Sequence, residues 1–292
     1  MLNCWPARNQ RQSFAELETL LRWKLSGNSL CHILYAEPHL LFLSLWRSVP
    51  KNLLVTIHQP PSWWDEASCH SFKPVKSAII LYQRDLDFFE QLVGRGRVHF
   101  IHHGVDTDFF TPSDQSPSKR ILYSGVHLRN TAMLIRLINS LHQRRPDLRF
   151  DLLVPEHRRS EGGLLELKSH PAVTWHAGLD DRQLLNLYRR SRMLLLPMND
   201  SGANTAVVES LACGLPVITT DVGGIRDYGG REIYPLLENN DDRAMLELVE
   251  ACLDDDSLRA EMSSSARRFA ERTLAWSRVA ARHMEVYTEL SG

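Results

Sequence analysis

The densest run of residues able to do chemistry is 193–224, MLLLPMNDSGANTAVVESLACGLPVITTDVGG. Its opening residues read as a buried strand ending at Pro197. A loop of small and polar residues, 199–204, then leads into a helix expected to begin near Thr205, with Asn204 suited to the N-cap. The first turn of a helix carries N–H groups without intrahelical acceptors, and the helix dipole is positive there. Small side chains in the preceding loop let an anion approach those donors, and a diphosphate is the obvious guest. Glu209 stands four residues after Thr205, on the same helix face. One turn beyond the phosphate position, its carboxylate can accept two hydroxyl hydrogen bonds from a ribose. An ordinary capped helix with a solvated glutamate meets the same spacing. Gly223 and Gly224 suit a backbone turn close to a ligand and a purely structural turn equally well.

The elements that must position this run are short apolar strands alternating with amphipathic helices. Strands are expected at 31–35, 53–58, 77–82 and 98–102, and then at 120–124, 150–154, 173–176, 193–197, 216–220 and 233–237. Helical patterns cover 13–25, 38–47 and 85–92, and Met133, Leu134, Leu137, Ile138 and Leu141 fall at helical spacing facing a sheet. The strands are continuously apolar rather than alternating, as in a parallel sheet covered on both faces. The fold class is therefore α/β, with open doubly wound sheets. A polar stretch with two prolines, TPSDQSPSK at 111–119, reads as a linker, and the pattern is helical from 241 to the end.

A length of 292 residues favours two domains. Lys+Arg number 34 against 35 Asp+Glu, a balance that excludes an electrostatic nucleic-acid binder. No apolar run reaches the ~18 residues of a membrane span, and the start, MLNCWPARNQRQ, lacks a secretory core. Cys4, Cys31, Cys69, Cys213 and Cys252 are scattered, with no CxxC clip, so a reduced, cytoplasmic protein is expected. A nicotinamide fingerprint fails, because Gly94-Arg95-Gly96 is followed by Arg97, Val98 and His99. Asp85-Leu86-Asp87 and Asp254-Asp255-Asp256 read as helix-start carboxylates rather than a metal-binding pair.

Five segments in order, 102–112 (HHGVDTDFFTP), 123–130 (YSGVHLRN), 173–197, 204–224 and 276–290, resemble the family 4 glycosyltransferases (glycosyl transferases group 1), which have the GT-B fold. The middle DxD of the chain, Asp106-Thr107-Asp108, belongs to the first of these words. The resemblance implies two Rossmann-type parallel-sheet domains facing a cleft. It divides the chain into a shortened N-terminal acceptor-side domain (1–112), a linker (113–119), a nucleotide-sugar-binding domain (120–272) and a closing helix (273–292) returning to the N-terminal domain. It further implies sugar transfer from a nucleoside-diphosphate sugar to a glycan, lipid-linked or small-molecule acceptor, with retention of configuration, no metal and no cofactor. Under it, the Asn204–Thr205 backbone holds the diphosphate and Glu209 the ribose, while the Gly178-Leu179 loop lies by the base. Arg129 forks onto the phosphates as negative charge develops, and His58 hydrogen-bonds the transferred sugar; His102 and His103 are structural. Asp227 stands where the family often carries a glutamate after its double glycine. Ser201 stands where a glutamate is common, with Asp200 beside it as a substitute. Val126 follows Gly125, where an arginine is usual, and His127 supplies part of the missing charge. Residues 1–29 hold one glycine, Gly27, and no glycine-rich loop. The alternative function is a nucleotide-sugar-binding subunit completed by a partner chain; peripheral membrane contact goes with a lipid acceptor.

Overall fold

The computed structural model describes residues 10–26, 30–40, 52–65, 69–113 and 118–291. The chain divides into two compact units, residues 1–102 with 280–292, and residues 103–279.

In the first unit β1 (Cys31–Ile33), β2 (Leu53–Ile57), β3 (Ser77–Ile80) and β4 (Val98–Phe100) pair in parallel and in sequence order. Every residue of β2 and β3 is buried, which is why they carry no polar alternation. Leu53, Val55, Ile57, Ala78 and Ile80 form the core with Phe72 and with Phe89 of a helix at Leu86–Val93 (α3). Among the described residues, α1 (Gln10–Leu25) and α2 (Ala36–His39) precede it. The helix expected over 38–47 falls mostly on 41–51, outside the described residues. Residues 280–291, the greater part of the last helix, pack on β1: His32 lies 2.7 Å from the Tyr287 hydroxyl through Nδ1 and 2.8 Å from Thr56 Oγ1 through Nε2.

The second unit has six parallel strands, β5 (Arg120–Ser124), β6 (Arg149–Leu153), β7 (Val173–His176), β8 (Met193–Leu196), β9 (Val217–Thr220) and β10 (Leu236–Leu237), in the order β10-β9-β8-β5-β6-β7. The chain runs outward from β5 to β7, crosses back to β8 and runs outward on the other side. Loops leaving the carboxyl ends of β5 and β8 therefore diverge, and such a switch point opens a crevice. The helices are α4 (Thr131–Arg144), α5 (Asp181–Arg190), α6 (Thr205–Ala212), α7 (Asp242–Asp254) and α8 (Asp256–Phe269). The stripe Met133, Leu134, Leu137, Ile138 and Leu141 of α4 is buried throughout, as its spacing requires. β10 is shorter than the 233–237 expected. Pro235 has no N–H to give a ladder, and the Ile233 N–H turns back to the Gly229 carbonyl at 2.9 Å. β5, β6 and β7 are fastened by the fully buried Asp151, which accepts a fork from Arg120 at 2.6 and 2.7 Å and lies 2.6 Å from His176 Nε2.

Candidate functional site

The crevice holds a cavity of about 300 Å³, walled by residues 124–129 after β5, by 201–206 after β8, and by Pro155 and Arg158 after β6. The first two walls are tied by their backbones: the Asn130 N–H donates to the Pro197 carbonyl and the Asn199 N–H to the Leu128 carbonyl, both at 2.9 Å. Leu128 adopts a left-handed φ of 59° to turn the loop, a strained conformation of the kind found at ligand-binding loops.

α6 begins at Thr205. The N–H groups of Val207 and Val208 both reach the Asn204 carbonyl, at 3.0 and 3.1 Å. Those of Thr205 and Ala206 have no acceptor among the described residues and border the cavity. Asn204 occupies the N-cap position, but its side chain makes no capping bond, contrary to the expectation from its residue type. Its Oδ1 instead accepts from Arg129 Nη2 at 3.3 Å, and its Nδ2 donates to Met198 Sδ at 3.3 Å. A guanidinium is the stronger donor, and its claim on Asn204 leaves the first-turn N–H groups open.

Arg129 is partly buried and held on neutral acceptors: Nε donates to the Ser124 carbonyl and Nη1 to the His127 carbonyl, both at 3.0 Å. No carboxylate pairs with it among the described residues. Burial pulls its pKa below the usual guanidinium value, against the opposing influence of the Tyr123 and Tyr188 phenols. A desolvated cation without an anion is unfavourable, and here it faces a cavity able to admit one.

Ser201 is buried, its hydroxyl donating to the Gly202 carbonyl at 2.9 Å. Asp200 does not line the cavity; its Oδ1 accepts from the Ser201 N–H at 2.8 Å. The double glycine holds this loop from behind. The Gly224 N–H donates to the Ser201 carbonyl at 2.6 Å. At Gly223, with φ of +56°, a Cβ would stand 2.0 Å from Ser201 O and 2.4 Å from Ser201 N. Gly223→Ala is therefore expected to displace residues 200–204 and lower stability by about 2 kcal/mol. Denaturant unfolding checks this; an unchanged midpoint contradicts the packing.

Glu209 lies one turn along α6, outside the cavity wall. It is not solvated as a free surface carboxylate. The buried Tyr188 hydroxyl of α5 donates to its Oε2 at 2.7 Å. Burial raises its pKa to about 7, with Tyr188 opposing and the Asp181 charge adding to the rise. Gly178 and Leu179 form the turn entering α5, Gly178 with φ of +61° and nothing near its absent Cβ. Neither lines the cavity, nor does Asp227, whose N–H donates to the Gly224 carbonyl at 3.1 Å. His58 belongs to the first unit, just past β2. Its Nε2 lies 2.9 Å from the Leu34 carbonyl, so that nitrogen carries the proton and Nδ1 is the acceptor. The ring stacks on Tyr35 at 3.8 Å, and burial lowers its pKa.

Of the residues singled out from sequence, then, Arg129, Ser201, Asn204 and Thr205 share one cavity, and Glu209, Gly178, Leu179, Asp227 and His58 lie outside it. Three residues were missed. Arg158 sits in the charged run EHRRS, which reads as a solvated turn. Tyr188 lies in an apolar helix stripe, where it reads as core. Glu37 is buried in α2 and accepts from the N–H groups of His58 and Gln59 at 2.6 and 2.7 Å, which fixes the His58 backbone.

Among the described residues, no group of three His, Cys, Asp or Glu could hold a metal ion, and no helix is long and apolar enough to cross a membrane. Asp106 accepts from the N–H groups of Asp108 and Phe109 and serves a turn, whereas Asp255 accepts from those of Ser257 and Leu258 and caps the start of α8.

The fold agrees with comparisons to known proteins. A D-inositol 3-phosphate glycosyltransferase of Xylanimonas cellulosilytica is 28% identical over 82% of this chain and 60% of its own. The chain spans 47% of the corresponding enzyme of Streptomyces avermitilis, so it covers about half the length of the curated relatives it matches. Among solved structures, sucrose-phosphate synthase of Thermosynechococcus elongatus superposes with a TM-score of 0.74 at 19% identity, covering 89% of this chain and 73% of that one. HepE of Anabaena, in complex with UDP, gives 0.74 at 14% identity, over 98% and 84%. The sequence model described as glycosyl transferases group 1 matches residues 106–269. With two parallel-sheet α/β units of GT-B type and a family match over more than half its length, the chain belongs to the glycosyl transferases group 1 family.

Proposed function

We propose that this protein is a glycosyltransferase that binds a nucleoside-diphosphate sugar and moves the sugar to a glycan, lipid-linked or small-molecule acceptor, with retention and without a metal ion. The observation that carries this reading is the pairing, in one switch-point cavity, of the open N–H groups of Thr205 and Ala206 with the Arg129 guanidinium. As the bond from the anomeric carbon to the diphosphate oxygen breaks, positive charge grows on the sugar ring and negative charge on the leaving diphosphate. Fixed donors aimed at that oxygen stabilise the transition state more than the ground state. Glu209, as the carboxylate, accepts the ribose hydroxyls, and the Gly178-Leu179 turn borders the base. His58 is assigned a hydrogen bond from the transferred sugar, accepted at Nδ1. Ser201 and Asp227 are assigned to the donor through the loop and turn they hold. The free thiols of Cys31, Cys69, Cys213 and Cys252 favour the cytoplasm as the place of action.

A thermal-shift screen against UDP, GDP and ADP tests donor binding. A ligand at 100 times its Kd adds about 2.7 kcal/mol of stability, so one of the three should raise the midpoint clearly. No shift with any of them contradicts the reading. Incubation with the matching labelled nucleotide sugar then separates two cases: slow donor hydrolysis or transfer marks an enzyme, whereas binding alone marks a subunit that needs a partner chain.

A further inference from the structure

The cavity wall contains a second guanidinium that the scheme above leaves unused. We propose that Arg158 is a second diphosphate-binding residue, which grips the phosphate that Arg129 and the α6 N–H groups do not hold and so discriminates nucleoside diphosphates from monophosphates. The inference rests on the donor-binding reading and adds a residue and a selectivity to it.

The guanidinium is half committed. Nε and Nη2 of Arg158 fork onto Oε1 and Oε2 of Glu161 at 2.7 and 2.8 Å. Arginine carries five N–H donors in a rigid plane, so the Nη1 edge remains available for a second, phosphate-binding fork. Both partners of the ion pair are partly exposed, 35% for Arg158 and 46% for Glu161, and such a pair contributes only about 0–1 kcal/mol. Glu161 thus orients the head without a strong hold on it.

The backbone sets where that head points. The turn Glu156–Arg158 leaves β6 directly, with the Arg158 N–H on the Pro155 carbonyl at 2.9 Å. The far end of the segment is seated on α4: Thr131 Oγ1 donates to the Gly162 carbonyl at 2.7 Å, and a Cβ on Gly162 would come within 2.1 Å of that oxygen. Thr131 is two residues after Arg129, so a single helix start fixes both guanidinium-bearing loops. The remaining basic group on this wall does not compete for the role. Burial lowers the His127 pKa, and the Arg129 and Arg158 charges lower it further against the opposing Glu161. At neutral pH its imidazole is uncharged, which leaves Arg158 as the second cation.

The test is titration calorimetry of the whole chain with inorganic pyrophosphate and with UDP, GDP, ADP and their monophosphates. Arg158→Gln should weaken pyrophosphate and the bound diphosphate about tenfold, the scale of one charge-assisted contact. Monophosphate affinity should stay within about twofold, and the unliganded thermal midpoint should not move, since the Glu161 pair is worth so little. Arg158→Lys, which keeps the charge and loses the fork, should fall between. The proposal is overturned if Arg158→Gln leaves diphosphate affinity intact while Arg129→Ala lowers it, or if mono- and diphosphate weaken equally. Failure of the wild type to bind pyrophosphate and every diphosphate, or an Arg129→Ala protein that binds them as well as wild type, sinks the donor-binding reading itself and this inference with it.

Discussion

Replacing Arg129 by alanine is expected to lower turnover about 100-fold or more while weakening donor binding measurably but less, by roughly three- to tenfold. The asymmetry follows from where charge appears. Under the proposed donor binding, the ground-state diphosphate would already meet the N–H groups of Thr205 and Ala206, which have no other acceptor among the described residues, and the dipole of α6. The bridging oxygen gains most of its charge only as the sugar departs, and removing one fixed donor from such a position costs about 2.7–4 kcal/mol in the transition state. The same substitution should leave the unliganded protein as stable as wild type, or more so. Arg129 has only neutral acceptors in Ser124, His127 and Asn204, and a desolvated cation held that way is unfavourable to folding. Steady-state kinetics with the cognate donor and a thermal melt without it check both halves. Small, equal losses in kcat and KM, or a strongly destabilised apoprotein, contradict the assignment.

Glu209→Gln should show the same opposition, with a pH signature. The carboxyl titrates at about 7 in the folded protein against an ordinary 4.5. Between those values the folded state binds more protons than the unfolded state, so stability falls as pH rises through this window. At about 1.4 kcal/mol per unit, the full loss above pH 7 is at most on the order of 3 kcal/mol. Glutamine keeps an acceptor for the Tyr188 hydroxyl and carries no charge. The variant should therefore melt several degrees above wild type at pH 8 and with it at pH 4. Its donor affinity should fall about tenfold or more, because hydrogen bonds from ribose hydroxyls to a charged acceptor contribute about 1.5–3 kcal/mol. Wild-type affinity, referred to the variant to cancel phosphate and His127 titration, should drop about tenfold from pH 8 to pH 6, following the ionised fraction of Glu209. Parallel melting curves at both pH values, or a pH-independent affinity ratio, contradict this role.

The strands were legible because parallel sheets bury both faces and leave long apolar runs: 53–58 and 193–197 differ from β2 and β8 only at their ends. β10 was overextended because apolar character alone does not register that Pro235 cannot donate or that Gly229 turns the chain back through Ile233. The α6 start was legible from local chemistry, since a small-residue loop before a helix is read within one window. What its N-cap side chain does was not, because the competing partner, Arg129, lies 75 positions away in sequence. Residues whose meaning depends on a distant contact were missed for the same reason. Tyr188 matters through Glu209, 21 positions on, and Glu37 through His58. Arg158 gained its meaning only when the switch point brought the β5, β6 and β8 loops to one cavity.

The most direct measurement is a crystal structure of the protein with the nucleoside diphosphate that the thermal screen selects. Phosphate oxygens are expected within hydrogen-bond distance of the Thr205 and Ala206 N–H groups and of the Arg129 guanidinium, with the ribose on Glu209. A nucleotide bound elsewhere, with that cavity still empty, contradicts donor binding at the start of α6.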